Sequence, residues 1–372
     1  MRHLAWVLLL FVATVSGACS GASAAALSGV YAATPMLSST SYNLPDSIYQ
    51  STDVYGVYIR LEWNVIEPTK HNYDWSTLDA ETSRAVQYGK QISIGVATGM
   101  YSPGWLYHEG VEHATFIVDS QAGNGTCLKV TLPMPWDLTY QNEYAAMMSA
   151  LSAHLQNNGY SQLQSVKVTI VGDDTEEMHL PAETRPRKGG CQRVTNAIMT
   201  FRQHKYRPSK VIAAWETGAQ SVATAFPGLV LGVAIWNNND FPLIDENGNR
   251  LTSERDPGWV DVKGDILSAG ISTYPGLFMV SWNGLGQTEQ SQPVINAGAN
   301  GAIEGWQTNM HNGSTRQAGC DSRPGHDYAT CTLSRYQSIL DNGIANGGQY
   351  LEIWPHDLLA FPDAVDEAQS KL

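Results

Sequence analysis

Charged residues are scarce in this sequence of 372 residues: Asp, Glu, Lys and Arg together make up only 15% of the chain. Disordered chains and coiled coils are rich in charge or carry charged heptads, so both classes are excluded. Basic residues are the minority, with 22 Lys and Arg against 35 Asp and Glu. Because nucleic-acid binding needs a basic face for the phosphates, we expect no nucleic-acid partner.

Motifs for common cofactors and metals are also missing. The chain contains no C-x-x-C pair, no P-loop, no G-x-S-x-G and no G-x-G-x-x-G after an early strand. His108 and His113 are five residues apart, and this spacing does not place two ligands on one helix face. The turn-like run from Asp245 to Asn249 has its glycine two positions too early for a calcium loop. We therefore expect no cofactor and no metal.

Among the aromatic residues phenylalanine is rare, with 7 Phe against 11 Trp and 17 Tyr. Many Trp and Tyr with few charges suit a surface that stacks on neutral, ring-shaped ligands bearing hydroxyl groups. Most of these side chains are still expected to pack in the core of so long a chain.

A long apolar run occurs only at the N-terminus, from Leu4 to Val15. It follows Arg2 and precedes the A-x-A sequence that ends at Ala24, so residues 1–24 are predicted to be a signal peptide. The run is too short to span a membrane, and we expect no membrane span elsewhere. The mature chain, residues 25–372, is therefore expected in a secreted or periplasmic location. Lipidation at Cys19 is the less favoured alternative, because no aliphatic residue precedes it as a lipobox requires.

Four cysteines remain after removal of the predicted signal peptide. An even number in an oxidising compartment predicts two disulfides. Cys320 and Cys331 lie eleven residues apart in a loop-like stretch and are expected to pair locally, which leaves Cys127 to pair with Cys191. We expect the protein to be a monomer.

Apolar runs rich in β-formers alternate with helical stretches along the mature chain. Eight strands are predicted: 30–35, 55–63, 91–97, 166–171, 229–235, 277–282, 301–306 and 350–354. Helices are predicted between them, including 78–88, 144–156, 194–204 and 333–342. Such βα repetition over this length predicts a single (β/α)8 barrel with loop insertions, a fold in which chemistry lies at the C-terminal ends of the strands.

Acids, amides and tryptophans follow the predicted strands at those ends. Besides the acids discussed below, the expected substrate-binding residues are Glu62, Trp63, Trp105, Trp236, Asn237, Trp282, Asn283, Trp306, Gln307 and Trp354. Carboxylates and amides bind sugar hydroxyls and indole rings stack on pyranose faces, so this set predicts a carbohydrate partner. Only two or three of the tryptophans are expected to contact sugar, and the others to be core.

The stretch around the second predicted strand carries a family resemblance. Arg60-Leu61-Glu62-Trp63-Asn64-Val65-Ile66-Glu67-Pro68, followed by Tyr73-Asp74-Trp75, is similar to the region after strand two in barrel glycoside hydrolases of the β-galactosidase/cellulase-like superfamily. The close match covers residues 55–106. The resemblance implies a retaining glycosidase with an arginine on strand two, an acid/base Glu ending strand four and a nucleophilic Glu ending strand seven.

The chain departs from this pattern at both catalytic strands. Strand four lacks the Asn-Glu pair and instead has Glu176 and Glu177, of which Glu177 is the expected acid/base and Glu176 the alternative. On strand seven Gln307 occupies the tip, and Glu304 lies three residues earlier. Glu352 alternates with apolar neighbours on strand eight, where a buried acid needs a partner or a function. Glu352 is therefore the expected nucleophile and Glu304 the alternative.

Arg60 is expected to lie inside the barrel and to keep Glu352 ionised, since only strand one separates their strands. The alternative for Arg60 is a structural pair with Glu62, and the alternative for Glu352 is a buried structural acid. The sequence thus predicts a secreted glycoside hydrolase that uses two glutamates. The second hypothesis is a carbohydrate-binding or polysaccharide-assembly protein that keeps the barrel but has no turnover.

Overall fold

The computed structural model describes residues 27–37, 44–119, 127–173, 176–182, 190–236, 241–288, 290–308 and 331–372. The predicted signal peptide, Cys19, Asn237 and Cys320 lie outside these residues, so the expectations that concern them stay predictions.

Eight parallel strands form a closed barrel. They are β1 (Gly29–Ala33), β2 (Gly56–Glu62), β3 (Gln91–Ala97), β6 (Leu163–Lys167), β8 (Val230–Ile235), β9 (Phe278–Leu285), β10 (Ile303–Thr308) and β11 (Tyr350–Ile353). Each strand pairs with the next, and the β1–β11 pairing closes the ring. The two-residue strand β7 (Glu177–Met178) pairs with β8 beyond the end of its pairing with β6, and Glu177 lies opposite Ala234. The expected (β/α)8 barrel is therefore the observed fold.

Both faces of the strands are buried, which explains their near-continuous apolar sequences. The outward side chains pack beneath the helices in one large cluster that includes Val57, Ile59 and Val280. The inward side chains form a smaller cluster with Tyr31, Tyr58, Tyr350, Met279 and Trp354. Because side chains alternate along a strand, every second residue of each strand points into the barrel.

Twelve helices are present in the described residues. They are α1 (Asp46–Gln50), α2 (Trp63–Ile66), α3 (Ser76–Gln87), α4 (Gly104–His108), α5 (Leu138–Asn157), α6 (Ala197–Gln203), α7 (Pro208–Ala225), α8 (Val262–Thr273), α9 (Gln292–Ala299), α10 (Leu333–Ala345), α11 (Pro355–Ala360) and α12 (Pro362–Lys371). The longest, α5, begins at an Asp137 side chain that accepts a hydrogen bond from the Tyr140 amide. No helix in the described part of the chain is long and apolar enough to cross a membrane.

One insertion interrupts the βα repeat after the third barrel strand. It contains the antiparallel hairpin of β4 (His113–Asp119) and β5 (Cys127–Pro133). The first residue of β5 forms a disulfide with Cys191, which lies between β7 and α6. This is one of the two predicted bridges. The Cys320–Cys331 pairing stays a prediction, because Cys320 lies outside the described residues.

The fourth barrel strand differs from its predicted position. The sequence predicts residues 166–171, whereas β6 ends at Lys167. After a last backbone bond from the Val168 amide to the carbonyl of Gly232, side chains replace the ladder: the Thr98 hydroxyl donates to the carbonyl of Thr169, and the Tyr140 hydroxyl to that of Ile170. The chain therefore remains apolar and buried there without strand pairing, which hydrophobic pattern alone does not distinguish.

Candidate active site

The acids of the fourth barrel strand lie where the chain turns from β6 to β7. The 3-10 helix Gly99–Tyr101 packs against this turn, and the Met100 amide donates to the carbonyl of Gly172. Gly99 has φ +60°, and a Cβ there would lie 1.9 Å from the Gly172 oxygen, so only glycine fits. This contact fixes the backbone at Gly172, four residues before Glu176.

Glu176 forms a buried ion pair with Arg60. Arg60 Nε is 2.9 Å from Glu176 Oε1 and Arg60 Nη2 is 2.6 Å from Oε2, so the contact is bidentate. Burial alone would raise the pKa of Glu176, but the charges of Arg60 and then Lys167 outweigh it and hold this pKa below its usual value. Glu176 is therefore ionised at neutral pH.

Glu177 has the opposite protonation preference from its neighbour. Burial, followed by the negative charge of Glu176, raises the pKa of Glu177 to about 7. Asn283 Nδ2 donates to Glu177 Oε1 at 2.7 Å, while Glu177 Oε2 has no hydrogen-bond partner among the described residues. Two adjacent acids thus differ in proton affinity, and the one with the higher pKa has a buried oxygen without a hydrogen-bond partner among the described residues.

A second ion pair lies wholly inside the barrel, between Lys167 of β6 and Glu352 of β11. Lys167 Nζ is 2.7 Å from Glu352 Oε1, and the two side chains are 0% and 1% exposed. Gln307 Nε2 donates to the other carboxylate oxygen at 2.6 Å. Gln307 therefore hydrogen-bonds one oxygen of Glu352, and Lys167 contacts the other as an ion pair.

Tyr58 lies between the two ion pairs and contacts both. Its hydroxyl donates to Glu176 Oε1 at 3.1 Å, and Lys167 Nζ lies 4.0 Å from the centre of its ring. The ring fits because Gly95 of β3 has no side chain: a Cβ at that glycine would lie 2.3 Å from the Tyr58 oxygen.

A histidine–carboxylate pair lies beside Glu177. His179 Nδ1 is 2.5 Å from Asp173 Oδ1, and their side chains are 14% and 10% exposed. The imidazole acts on the neighbouring acid, since the charge of His179 lowers the pKa of Glu177 against the effect of burial. The pair is closer to solvent than the ion pairs below it.

Several predicted ligand-binding residues lie at the same end of the barrel. Glu62 follows Arg60 on the inward face of β2, and burial raises the pKa of its carboxyl. The Trp354 ring is 5.1 Å from the Arg60 guanidinium carbon, and its indole donates to the carbonyl of Thr308. Trp236 follows β8 and is partly exposed. These residues, with Asn283 and Gln307, surround the acids on the inward side.

Other predicted site residues lie elsewhere, and these expectations are corrected. Trp63, Trp282 and Trp306 point outward and pack in the cluster beneath the helices, because each occupies an outward position of its strand or follows one. They are not available to stack on a sugar inside the barrel. Trp105 lies on α4, where its indole donates to the carbonyl of Glu67 and its ring faces Lys70.

The acids on the last strands also differ from expectation. Glu304 points toward the helices, with its carboxylate against Gly298 and Gly347, and burial raises its pKa to about 7. This orientation removes it from the barrel interior. Arg60 does not pair with Glu352 or Glu62 as expected. It reaches across to Glu176 instead, and Lys167 supplies the cation for Glu352.

Sequence reasoning missed Lys167, Tyr58 and the Asp173–His179 pair. Lys167 had a detectable signal, since a lysine within the apolar run 166–171 is as unusual as the acid on strand eight. Tyr58 and His179 had none, because tyrosine suits strands and a lone histidine in a loop is common. Among the described residues, no group of three His, Cys, Asp or Glu side chains is arranged to hold a metal ion.

Comparisons with known proteins agree with the barrel fold. A family model described as Beta-galactosidase matches residues 55–175, about a third of the chain. The match begins in the stretch that carries the sequence resemblance and ends beside Glu176. The resemblance to barrel glycoside hydrolases is thereby confirmed over this region. No curated protein sequence matches the chain.

Solved structures share the fold at low sequence identity. The catalytic domain of a beta-amylase from Paenibacillus polymyxa is 12% identical, with a TM-score of 0.59, and the match covers 92% of this chain and 98% of that one. A beta-galactosidase from Rahnella sp. R3 is 10% identical, with a TM-score of 0.54. That match covers 94% of this chain but only 56% of the galactosidase. At such identities the similarity establishes the fold alone.

Proposed function

We propose that this chain is a glycosidase that cleaves O-glycosidic bonds of an oligosaccharide or polysaccharide at the C-terminal end of the barrel. Glycoside cleavage needs one protonated carboxyl group to protonate the leaving oxygen and one ionised carboxylate. The observation that carries the proposal is Glu177, whose pKa is about 7 and whose Oε2 has no hydrogen-bond partner among the described residues. Asn283 orients its other oxygen.

Glu352 is the second carboxylate in this proposal. Lys167 Nζ, 2.7 Å from Glu352 Oε1, supplies the counter-charge for this carboxylate. Glu177 would donate its proton to the departing oxygen while Glu352 attacks the anomeric carbon, and water would then cleave the glycosyl–enzyme bond with Glu177 acting as base. The family resemblance implies this retaining course. Trp354 and Trp236 supply ring faces for the sugar beside the acids.

We further propose that the protein acts after export, in a secreted or periplasmic location. Two features support this location. The N-terminal run from Leu4 to Val15 has the composition of a signal peptide, and the Cys127–Cys191 disulfide suits an oxidising compartment.

The test is turnover of a panel of aryl glycosides and polysaccharides by the exported protein and by Glu177→Gln. We expect the variant to lose at least ~100-fold in rate on substrates with poor leaving groups and much less on activated ones, because only the former need a proton donor. Nuclear magnetic resonance of the first product identifies the anomer and so distinguishes retention from inversion.

Glu304→Gln is the comparison variant, because Glu304 also has a pKa of about 7 but points toward the helices. It should keep wild-type turnover on both substrate classes. Equal losses on activated and unactivated substrates in Glu177→Gln would exclude Glu177 as the acid. Loss of turnover in Glu304→Gln would indicate that Glu304, on the seventh barrel strand, is a catalytic carboxylate.

A non-catalytic carbohydrate-binding protein is the second candidate, and a specific observation favours it. The inward position near the end of β10 is Gln307, where the resemblance implies a glutamate, and both oxygens of Glu352 already have partners. A protein of this kind would bind oligosaccharides in calorimetry, lose binding in Trp354→Ala, and release no product from any substrate of the panel.

A further inference from the structure

The barrel interior contains more carboxyl groups than cations. Arg60 and Lys167 face Glu176, Glu177 and Glu352, and these five side chains are between 0% and 8% exposed. Arg60 is engaged bidentately by Glu176, so Lys167 is the cation that remains for Glu352. A buried charge without a partner is strongly unfavourable, so the charges inside the barrel depend on one another.

The side chain of Lys167 fits inside the barrel because its neighbour on β8 is a glycine. Gly232 is opposite on β8, and a Cβ there would lie 3.1 Å from Lys167 Cγ. The Tyr58 ring covers the ammonium group from β2, and Glu352 approaches it from β11. The same ammonium charge also acts on Glu176, whose carboxyl it helps to keep ionised.

The groups that face Glu352 are few. Lys167 and Gln307 contact its two oxygens, and the Tyr58 and Tyr350 hydroxyl groups are near enough to be influenced by its charge. Burial raises the pKa of both tyrosines well above the usual value, so they stay neutral and supply no charge. Among the described residues, Lys167 is the cation in contact with this carboxylate.

We propose that Lys167 is a positioning residue for the reaction: its ammonium group is the counter-charge that holds the Glu352 carboxylate in place inside the barrel, the function that the sequence predicts for Arg60. The proposal rests on the proposed glycosidase function. Lys167 itself touches no substrate in this account, since it is fully buried beneath the acids.

The test compares Lys167→Met with Lys167→Met/Glu352→Gln, a pair in which the second change removes the carboxylate left without its cation. In Lys167→Met, Glu352 should take up a proton at neutral pH, which infrared spectroscopy detects as a protonated-carboxyl band. The band should be absent from the double variant, and this assigns it to Glu352. The double variant should also resist urea better than Lys167→Met.

The pH dependence of turnover distinguishes a positioning role from a merely structural one, because a structural lysine would not change it. In Lys167→Met the acidic limb of the kcat/KM profile should move to higher pH by at least one unit, a tenfold loss on that limb, while the basic limb set by Glu177 stays in place. Lys167→Gln, which keeps a hydrogen-bond donor but no charge, should give the same shift. Lys167→Gln replaces Lys167→Met in these measurements if the methionine variant does not fold.

Lys90→Met is the matched control. Lys90 is also buried, but its ammonium group donates to the backbone carbonyls of Ser51 and Val54. This variant should lose stability without the infrared band or the shifted limb. An unchanged acidic limb and no new band in the Lys167 variants would overturn the proposal. Absence of turnover by the wild type would instead overturn the glycosidase function, and the infrared band would then decide the proposal for Lys167.

Discussion

Glu176 and Glu177 are adjacent in the chain, yet their surroundings give them different charges. Glu176 receives two hydrogen bonds from Arg60, whereas Glu177 receives one from the neutral amide of Asn283. A carboxylate beside a guanidinium stays ionised, and a buried one beside a second carboxylate retains its proton.

His179→Gln tests how the environment of Glu177 sets its proton affinity. The positive charge of His179 lowers the pKa of Glu177, so its removal should raise that pKa and leave the carboxyl protonated to higher pH. The basic limb of the kcat/KM profile should move to higher pH by up to about one unit.

His204→Gln is the control for this change. His204 forms a comparable pair with Glu112, 2.9 Å away on the insertion hairpin side of the chain. Its removal should leave the basic limb in place. A shift to lower pH in His179→Gln would contradict the account of Glu177.

For individual residues, the sequence predicts which charged side chains lie inside the barrel but not which of them form ion pairs. Arg60 and Glu352 are buried on β2 and β11, where alternation within apolar strands predicts them, and Glu177 is buried on β7, beyond the fourth barrel strand. The ion-pair partners differ from the prediction because a long side chain such as that of Arg60 reaches across the barrel. The order of the strands alone does not determine where its charged group lies. Arg60 to Glu176 is such a contact across the interior.

Among the elements, the turn between β6 and β7 determines where the acids lie. It departs from the ladder after Lys167, and Gly99 packs directly against it. The sequence could not predict this geometry, because the run from Val166 to Val171 has the apolar pattern of a continuous strand. The other seven barrel strands are predicted to within about three residues at their ends, since each is an apolar run bounded by turn residues.

Gly99→Ala should disturb this turn. The added Cβ would meet the Gly172 oxygen at 1.9 Å in a backbone conformation of φ +60°. We expect a loss of unfolding free energy of about 3 kcal/mol or more and a lower kcat, measured by urea denaturation and by turnover.

Gly110→Ala is the control that separates the effect of backbone strain from the effect of the steric contact with Gly172. Gly110 has φ +86°, but a Cβ there would meet no atom within 4 Å. This variant should lose only about 1–2 kcal/mol and keep its kcat. If both variants behave alike, the contact between Gly99 and Gly172 does not support the acids.

For the molecule as a whole, the disulfide Cys127–Cys191 joins the insertion hairpin to the segment after β7 across 64 residues. The Thr195 amide and hydroxyl also bond to Ile117 on that hairpin. By chain entropy, closing a loop of this length stabilises the native state by about 4 kcal/mol.

The variant Cys127→Ser/Cys191→Ser should therefore lose on the order of 4 kcal/mol in urea denaturation and have a lower Tm. The parallel barrel should remain intact below that Tm, because the bridge lies outside its ladder. Wild type treated with a reductant is the parallel measurement. An unchanged Tm in both would show that the hairpin is anchored by its hydrogen bonds alone.

Stability should also depend on pH through Asp357, a buried acid at the start of α11. Burial raises its pKa to about 7, against 3.8 when it is free. Its contribution to stability is therefore complete below about pH 4 and is lost as the pH rises through 7. Between pH 5 and pH 8, the unfolding free energy of Asp357→Asn should fall by about 2–3 kcal/mol less than that of the wild type. An equally steep decline in the variant would contradict this assignment.

The strand that closes the barrel is also the strand that supplies the counter-charge for Lys167. β11 pairs with both β1 and β10, and it brings Glu352 to the lysine from 185 positions further along the chain. Without β11 the other seven strands would have an open edge, and Lys167 would lack its carboxylate partner. Closing the ladder and pairing the buried lysine therefore depend on the same strand, and we expect slower refolding of Glu352→Gln in stopped-flow fluorescence.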